Sequence, residues 1–123
     1  MYTISKEFTF SAAHELSGVP DGHPCKRLHG HNYIVKLFFS NAVLNSIGFI
    51  IDYRELDPIK NWIDSKLDHR NLNDVFPFNP TAENIAEALF NTFKKLKPAF
   101  WQLSAIEVSE TPKTNCRYEP NLK

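Results

Sequence analysis

The sequence predicts an α+β domain. Apolar residues that alternate along the chain predict strands near both ends, and apolar residues at helical spacing predict two helices between them. The resulting order is strand, strand, helix, helix, strand, strand, without the strand–helix alternation that builds parallel sheets. A chain of 123 residues has the length of one domain, so we expect residues 1–123 to fold as a single unit.

The first predicted strand covers residues 2–13, because its even-numbered side chains are mostly apolar and its odd-numbered side chains mostly polar. The same even-numbered series continues through Ala12 to His14. Residues 15–28 follow as a loop that contains two glycines and two prolines. The loop is long for a hairpin connection, and long loops in compact domains usually carry function.

The second predicted strand covers residues 31–40 and has apolar residues on both faces. One face carries Tyr33, Val35, Leu37 and Phe39, and the other carries Ile34 and Phe38. This pattern predicts that the strand is buried on both sides, or that one face contacts another subunit. Residues 41–48 then form a connection, and residues 49–53 a short extended piece.

Helical spacing begins at Leu56 and ends near Leu67, with Pro58 in the first turn, where its missing N–H costs little. Residues 70–80 are predicted to form a loop. Thr81 is a good N-cap for a second helix, which Pro98 ends. The apolar stripe of that helix consists of Ala82, Ile85, Leu89, Phe93 and Leu96. A third strand over residues 103–110, a turn over 111–115 and a last short strand at Cys116–Tyr118 complete the chain.

Composition limits the classes of function. Fourteen basic residues balance fourteen acidic ones, so nothing indicates a nucleic-acid-binding stripe or a membrane-surface patch. No apolar run approaches the length of a membrane span, and residues 1–6 lack the apolar core of a signal peptide. Two cysteines are too few for a disulfide scaffold. We therefore expect a cytoplasmic protein with reduced thiols.

Four of the five histidines lie between positions 14 and 31. If a strand begins at Gly30, His29 and His31 point to the same face, because side chains alternate along a strand. An antiparallel neighbour that ends at His14 would add a third imidazole. Three imidazoles with one open position are typical of catalytic zinc. The alternative is a set of ordinary surface or hydrogen-bonded histidines.

Cys25 lies in the loop just before this histidine pair. A nearby cation lowers the pKa of a thiol, so Cys25 is a candidate general base or nucleophile. The alternative is a small buried apolar residue. Cys116 has no such neighbours in the sequence, and we interpret it as structural.

Asp68 and His69 follow the first helix, and a carboxylate that holds an imidazole makes it a better proton carrier. The alternative is a helix C-terminal histidine favoured by the helix dipole. Glu110 is either functional or a solvated carboxylate at a strand end. Thr81 and Glu83 are explained as helix-capping residues without any further role.

Five segments, in order over nearly the whole chain, resemble the 6-pyruvoyltetrahydropterin synthase family. They are Ser11-Ala12-Ala13-His14, Cys25-x-x-x-His29-Gly30-His31, Leu67-Asp68-His69-x-x-Leu72-Asn73, Pro80-Thr81-Ala82-Glu83-Asn84 and Glu110-Thr111. Residues 22–31 are most similar to the bacterial branch, the 6-carboxy-5,6,7,8-tetrahydropterin synthases of queuosine biosynthesis.

The resemblance implies the tunnelling fold, in which an antiparallel four-stranded sheet carries two helices on one face. Subunits of that fold join their sheets into a trimeric barrel, and two trimers stack as a homohexamer. The implied reaction is that of a lyase, which converts 7,8-dihydroneopterin triphosphate to 6-carboxy-5,6,7,8-tetrahydropterin, acetaldehyde and triphosphate.

The resemblance also implies a role for each matched residue. Zinc would be held by His14, His29 and His31. Cys25 would be the base, with Asp68 and His69 as a proton-relay pair. Glu110 would anchor the pterin ring, and Thr81 and Glu83 would help to bind it from a neighbouring subunit. Ala82 stands where the animal branch has a second threonine, so it has no hydroxyl to offer.

Three alternative functions stay open. A pyruvoyl-forming enzyme would eliminate triphosphate but retain the side-chain carbons. A folate-pathway variant would leave a hydroxymethyl-pterin, but it carries glutamate in place of the cysteine, so Cys25 argues against it. The third is a non-enzymatic oligomer that binds a metal or a pterin, for which Cys25 would be dispensable.

Overall fold

A computed structural model describes residues 1–120, and the last three residues of the predicted domain, 121–123, lie outside that range. Five strands form one sheet: β1 (Tyr2–His14), β2 (His29–Asn41), β3 (Arg70–Asn71), β4 (Leu103–Ser109) and β5 (Cys116–Tyr118). Three α-helices are α1 (Asp57–Lys66), α2 (Leu72–Val75) and α3 (Ala82–Lys94). Short 3₁₀ turns occupy Pro24–Lys26, Tyr53–Leu56 and Pro98–Gln102. The α+β class is confirmed.

The sheet has the strand order β3-β1-β2-β4-β5. The pairs β1–β2, β2–β4 and β4–β5 are antiparallel, and two of them, β1–β2 and β4–β5, join strands that follow one another closely in the chain. β1 and β2 pair along their whole lengths, from Tyr2 opposite Asn41 to His14 opposite His29. The matching alternation of the two strands sets this register, because a shift by one residue would turn both apolar sets away from the core.

The prediction of a four-stranded antiparallel sheet with two helices was wrong. A fifth strand, β3, pairs in parallel with β1 through Ala12–Arg70 and Ala13–Asn71, which makes the sheet mixed. The single turn α2 follows at once and is capped by the Asn71 side chain. Both elements lie in the predicted loop 70–80. Two strand residues and one helical turn are too short to show a period in the sequence.

The two longer helices cover one face of the sheet, and together they form the core with it. α3 buries Ile85, Ala86, Leu89, Phe90 and Phe93. The ring of Phe93 meets Trp62 of α1 edge-on at 5.4 Å. No helix in the described part of the chain is long and apolar enough to cross a membrane.

The opposite face of the sheet is only partly covered by the chain itself. Ile34 and Phe38 are half-buried there, in keeping with the second of the two interpretations of β2. Phe38 lies between two cations, with Lys36 Nζ 5.6 Å and Arg117 Cζ 4.6 Å from its ring centre. Within residues 1–120, no strand pairs with the outer edge of β1 over residues 2–10. This stretch of β1 is therefore an edge of the sheet within the described chain.

Candidate active site

Three histidines converge at one end of the sheet, on its core face. His14 lies opposite His29, and His31 lies opposite Ala12. The candidate ligand atoms of His14, His29 and His31 all lie within 4.8 Å of one another. His14 is fully buried, whereas the other two are half-buried. The strand alternation thus brings together the three imidazoles that the sequence singles out.

The hydrogen bonds of two of these rings define their tautomers. His14 Nδ1 lies 2.8 Å from the carbonyl oxygen of Pro80, and His29 Nδ1 lies 2.7 Å from that of Arg27. A carbonyl oxygen only accepts, so both Nδ1 atoms carry a proton, and in the neutral form of each ring the Nε2 atom presents a lone pair. These two Nε2 atoms are 3.1 Å apart. Two facing lone pairs repel unless a cation lies between them, so the donor set fits a metal ion.

Burial favours the neutral form of His14 and His31. It is the largest influence on the pKa of both His14 and His31, and it lowers both values although the nearby Glu110 carboxylate raises them. Glu110 directly follows β4, and its Oε2 lies 3.4 Å from His14 Nε2 and 3.8 Å from His31 Nε2. Neutral imidazoles are the form that binds a metal ion.

Tyr33 also belongs to this site, although the sequence assigned it only to the core. Its hydroxyl oxygen lies 3.2 Å from His14 Nδ1, and its ring stacks on Phe10 at 4.8 Å. Burial, followed by the Glu110 charge, raises the pKa of Tyr33, so its hydroxyl stays protonated. The sequence did contain a signal: His29, His31 and Tyr33 are two residues apart along β2, so their side chains lie on the same face of the strand.

Cys25 lies in the 3₁₀ turn Pro24–Lys26 and is half-buried. Its N–H donates to His23 Nδ1 at 3.0 Å, and its carbonyl oxygen accepts from the Leu16 N–H at 2.8 Å. In the described range, the cluster of possible metal ligands comprises the three histidines and no thiol. The backbone of the loop, rather than a metal, therefore holds this cysteine.

Asp68 and His69 form a pair at the edge of β1. Asp68 Oδ2 lies 2.9 Å from His69 Nδ1, and Asp68 Oδ1 accepts from the Ser11 N–H at 2.9 Å. The Ser11 N–H, more than His69, lowers the pKa of Asp68. The His69 backbone is left-handed, with φ of 58°, and its side chain is 82% exposed.

A groove of about 500 Å³ runs across β3, β1 and β2 beside this pair. Its lining includes Ser11, Gly30, His31, Asn32 and His69. Among residues 1–120, however, no hydrogen bond or ion pair joins Asp68 or His69 to the three-histidine cluster. The structure therefore places the predicted relay pair at the sheet edge, where His69 shares a groove with His31 without a direct bond to the cluster.

The start of α3 adjoins the histidine cluster. Thr81 is the N-cap, and its Oγ1 accepts from the Asn84 N–H at 3.2 Å. Pro80, just before it, holds His14 through its carbonyl oxygen. Glu83 lies in the exposed first turn of α3. Its charge, after burial, raises the pKa of the half-buried Cys116, so that thiol is kept protonated.

Known proteins are similar to this chain over nearly its whole length. The sequence profile of the family described as 6-pyruvoyl tetrahydropterin synthase matches residues 3–121. A 6-carboxy-5,6,7,8-tetrahydropterin synthase from Haemophilus influenzae is 33% identical, over 97% of this chain and 99% of the relative. The enzyme of that name from Synechocystis sp. is 35% identical, over 96% of this chain and 93% of the relative.

Solved structures show the same fold. The structure of Caenorhabditis elegans 6-pyruvoyl tetrahydropterin synthase superposes with a TM-score of 0.86 and 28% identity. The match covers 98% of this chain and 96% of that one. The profile, the full-length relatives and the fold lead to one conclusion: the chain is a member of the 6-pyruvoyl tetrahydropterin synthase family.

Proposed function

We propose that the protein is a zinc-dependent carbon–carbon lyase of queuosine biosynthesis. Its substrates are 7,8-dihydroneopterin triphosphate and water, and its products are 6-carboxy-5,6,7,8-tetrahydropterin, acetaldehyde and triphosphate. The observation that carries the proposal is the convergence of three imidazoles beside the Glu110 carboxylate. The relatives from Haemophilus influenzae and Synechocystis are named for this carboxy-pterin product, which supports it.

His14, His29 and His31 would hold the zinc ion through their ring nitrogens. The carbonyl oxygens of Pro80 and Arg27 keep two of these rings in the tautomer that leaves Nε2 free. Bound there, zinc acts as a Lewis acid that lowers the pKa of the substrate's side-chain hydroxyls and stabilises negative charge on their oxygens.

Cys25 is the general base in this proposal, removing a proton from the substrate side chain as a thiolate. His69 exchanges a second proton. Asp68 holds the His69 Nδ1–H and so leaves the other ring nitrogen free for transfer. The elimination of triphosphate is followed by carbon–carbon cleavage, in which acetaldehyde leaves and the pterin retains a carboxyl group.

Glu110 would recognise the pterin, because a carboxylate can accept two N–H bonds from a 2-amino-pyrimidinone edge. Its position beside His14 and His31 keeps that edge close to the zinc ligands. We assign a supporting contact with the pterin to Thr81 and Glu83, at the exposed start of α3.

The proposal includes a homo-oligomer, a trimer or a hexamer. Asp68 and His69 lie at the edge of β1, where no contact in the described chain joins them to the histidine cluster. The neighbouring edge over residues 2–10 is open for another sheet. A second subunit would therefore bring the relay pair and the zinc ligands together. We further place the reaction in the cytoplasm, in keeping with the free thiols of Cys25 and Cys116.

A mass-resolved product assay tests the proposal. Zinc-loaded protein is given 7,8-dihydroneopterin triphosphate, beside a chelator-treated sample and a Cys25→Ala variant. We expect carboxy-pterin and acetaldehyde from the first sample and neither product from the other two. A pyruvoyl-pterin product would assign the chain to the pyruvoyl-forming reaction for which the Caenorhabditis elegans relative is named. If folded, zinc-loaded protein shows no turnover, the proposed enzymatic activity is contradicted and a pterin-binding oligomer is favoured.

A further inference from the structure

Two asparagine side chains imitate a neighbouring strand just beyond the end of β1. Asn73 accepts from the Glu15 N–H and donates to the Glu15 carbonyl oxygen, both at 2.9 Å. Asn79 does the same with Ser17, with both distances at 3.0 Å. An amide side chain offers one acceptor and one donor, as a backbone peptide does. Residues 15 and 17 are therefore paired as if a strand lay beside them.

Leu16 lies between these two paired residues and faces the other way. In extended chain, the N–H groups of successive residues point to opposite edges. Leu16 therefore directs its N–H away from the asparagines, and it donates to the carbonyl oxygen of Cys25 at 2.8 Å. A continuous series of hydrogen bonds thus connects Asn73 and Asn79 with Cys25 through three backbone residues.

No other anchor of this kind holds the loop that carries Cys25. The remaining hydrogen bonds of residues 15–28 are internal to the loop, apart from the bond between Arg27 and the ring of His29 at its end. For the part of the chain that the structure describes, the four amide bonds are the only hydrogen bonds from the loop to a distant segment. The position of the cysteine therefore depends on them.

We propose that Asn73 and Asn79 are positioning residues for Cys25. They fix the backbone at Glu15 and Ser17, on either side of Leu16, and so place the Leu16 N–H that anchors the cysteine. The role in catalysis rests on the proposed function of Cys25 as the base. The geometric role does not, because it concerns only where the thiol is held. The requirement for both a donor and an acceptor explains why asparagine, and not aspartate, occupies both positions.

Alkylation of the thiols tests the geometric role without any substrate. Zinc-loaded wild type and the double variant Asn73→Ala/Asn79→Ala are treated with iodoacetamide, and mass spectrometry follows the Cys25 and Cys116 peptides separately. Loss of the anchor exposes the half-buried Cys25 thiol, so its rate relative to Cys116 should rise on the order of tenfold. Zinc affinity should stay unchanged, because the histidine cluster keeps its own contacts.

Two further variants make the test specific. Asn73→Asp/Asn79→Asp keeps the acceptors and loses the donors, so Cys25 should be alkylated at an intermediate rate. This variant replaces the alanine variant if the latter does not fold. Asn45→Ala is the matched control. Its side chain accepts from the N–H groups of Ile47, Gly48 and Phe49 at the far end of β2, so stability should fall without a change at Cys25.

Turnover supplies the second measurement. If Cys25 is the base, kcat should fall by about 10- to 100-fold in the alanine variant while KM and zinc affinity are retained. An alkylation rate in the folded alanine variant that matches wild type would overturn the positioning role. A wild type without turnover, together with faster alkylation in the variant, would reject the proposed function and leave the positioning role standing.

Discussion

The hydroxyl oxygen of Tyr33 lies 3.2 Å from Nδ1 of His14, the same nitrogen that faces the carbonyl oxygen of Pro80 at 2.8 Å. The His14 ring thus has two oxygen partners on the side away from His29 Nε2. Partners of this kind fix the orientation and tautomer of a metal-binding imidazole.

Replacing Tyr33 with phenylalanine should weaken zinc binding. The change keeps the ring that stacks on Phe10 and removes only the oxygen next to His14. Loss of such a partner lowers metal affinity by about tenfold or more. Competition with a chromophoric chelator measures the affinity. Tyr118→Phe is the control, because Tyr118 packs on Phe90 away from the histidines. Equal affinities for Tyr33→Phe and wild type would show that Pro80 alone orients His14.

Each of the three clustered histidines should be required for zinc. Purified His29→Ala and His31→Ala proteins should contain little metal, because two imidazoles hold zinc far more weakly than three. His14→Ala should lose the metal as well. Its metal-free form should also be less stable, by about 1–3 kcal/mol, because the Pro80 carbonyl loses its donor. Elemental analysis and thermal unfolding measure both effects. His23→Ala should retain full metal content, and its loss of zinc would contradict the assignment.

Asp68 should stabilise the fold in a pH-dependent manner. Its pKa is lowered in the folded protein, first by the Ser11 N–H and then by His69. The unfolded chain therefore takes up the proton first, at its ordinary pKa of about 3.9. The stabilisation is fully present above that value and is lost as the pH falls through the folded pKa. Asp68→Asn should unfold at a lower temperature than wild type at pH 7, and the difference should shrink below about pH 4. A difference that is constant with pH would exclude this origin.

Substitutions can separate two roles of the Thr81 side chain, capping α3 and contacting the substrate. Thr81→Ala should cost about 1 kcal/mol of stability, because the Asn84 N–H loses its acceptor. Thr81→Asp keeps a good cap without the hydroxyl, and Thr81→Ser keeps both. If the hydroxyl contacts the pterin, KM should rise in the aspartate variant although its unfolding temperature is unchanged. An unchanged KM would mean that Thr81 serves the helix alone.

The three-histidine cluster could be predicted because it depends on strands. Alternation along β1 and β2 places His14 and His31 on one face, and the antiparallel register brings the strand ends together. Both effects are local and periodic, so the sequence displays them. Tyr33 lies on the same strand face. The sequence does not show that its hydroxyl lies beside His14, because that contact joins two different strands.

The loops could not be predicted, because distant backbone contacts define them. β3 consists of two residues and exists through pairing with Ala12 and Ala13. Pro80 reaches His14 across 66 positions of sequence, and Asn73 reaches Glu15 across 58. Hydrogen bonds to backbone groups leave no periodic mark on the residues that receive them. For the same reason, the bond from the Ser11 N–H to Asp68 at the edge of β1 was not evident.

At His69, the left-handed backbone favours a residue other than the one that the proposed proton transfer needs. Glycine adopts this conformation without cost, and asparagine or aspartate adopts it more easily than most residues. The side chain is largely exposed, so what it adds to stability is its one bond to Asp68 rather than burial. Selection for stability alone would therefore replace His69 with glycine, and a library screened only for heat resistance should enrich that substitution. If His69 transfers a proton as proposed, a library screened for turnover should retain histidine there. The stability screen and the activity screen should then select different residues at position 69.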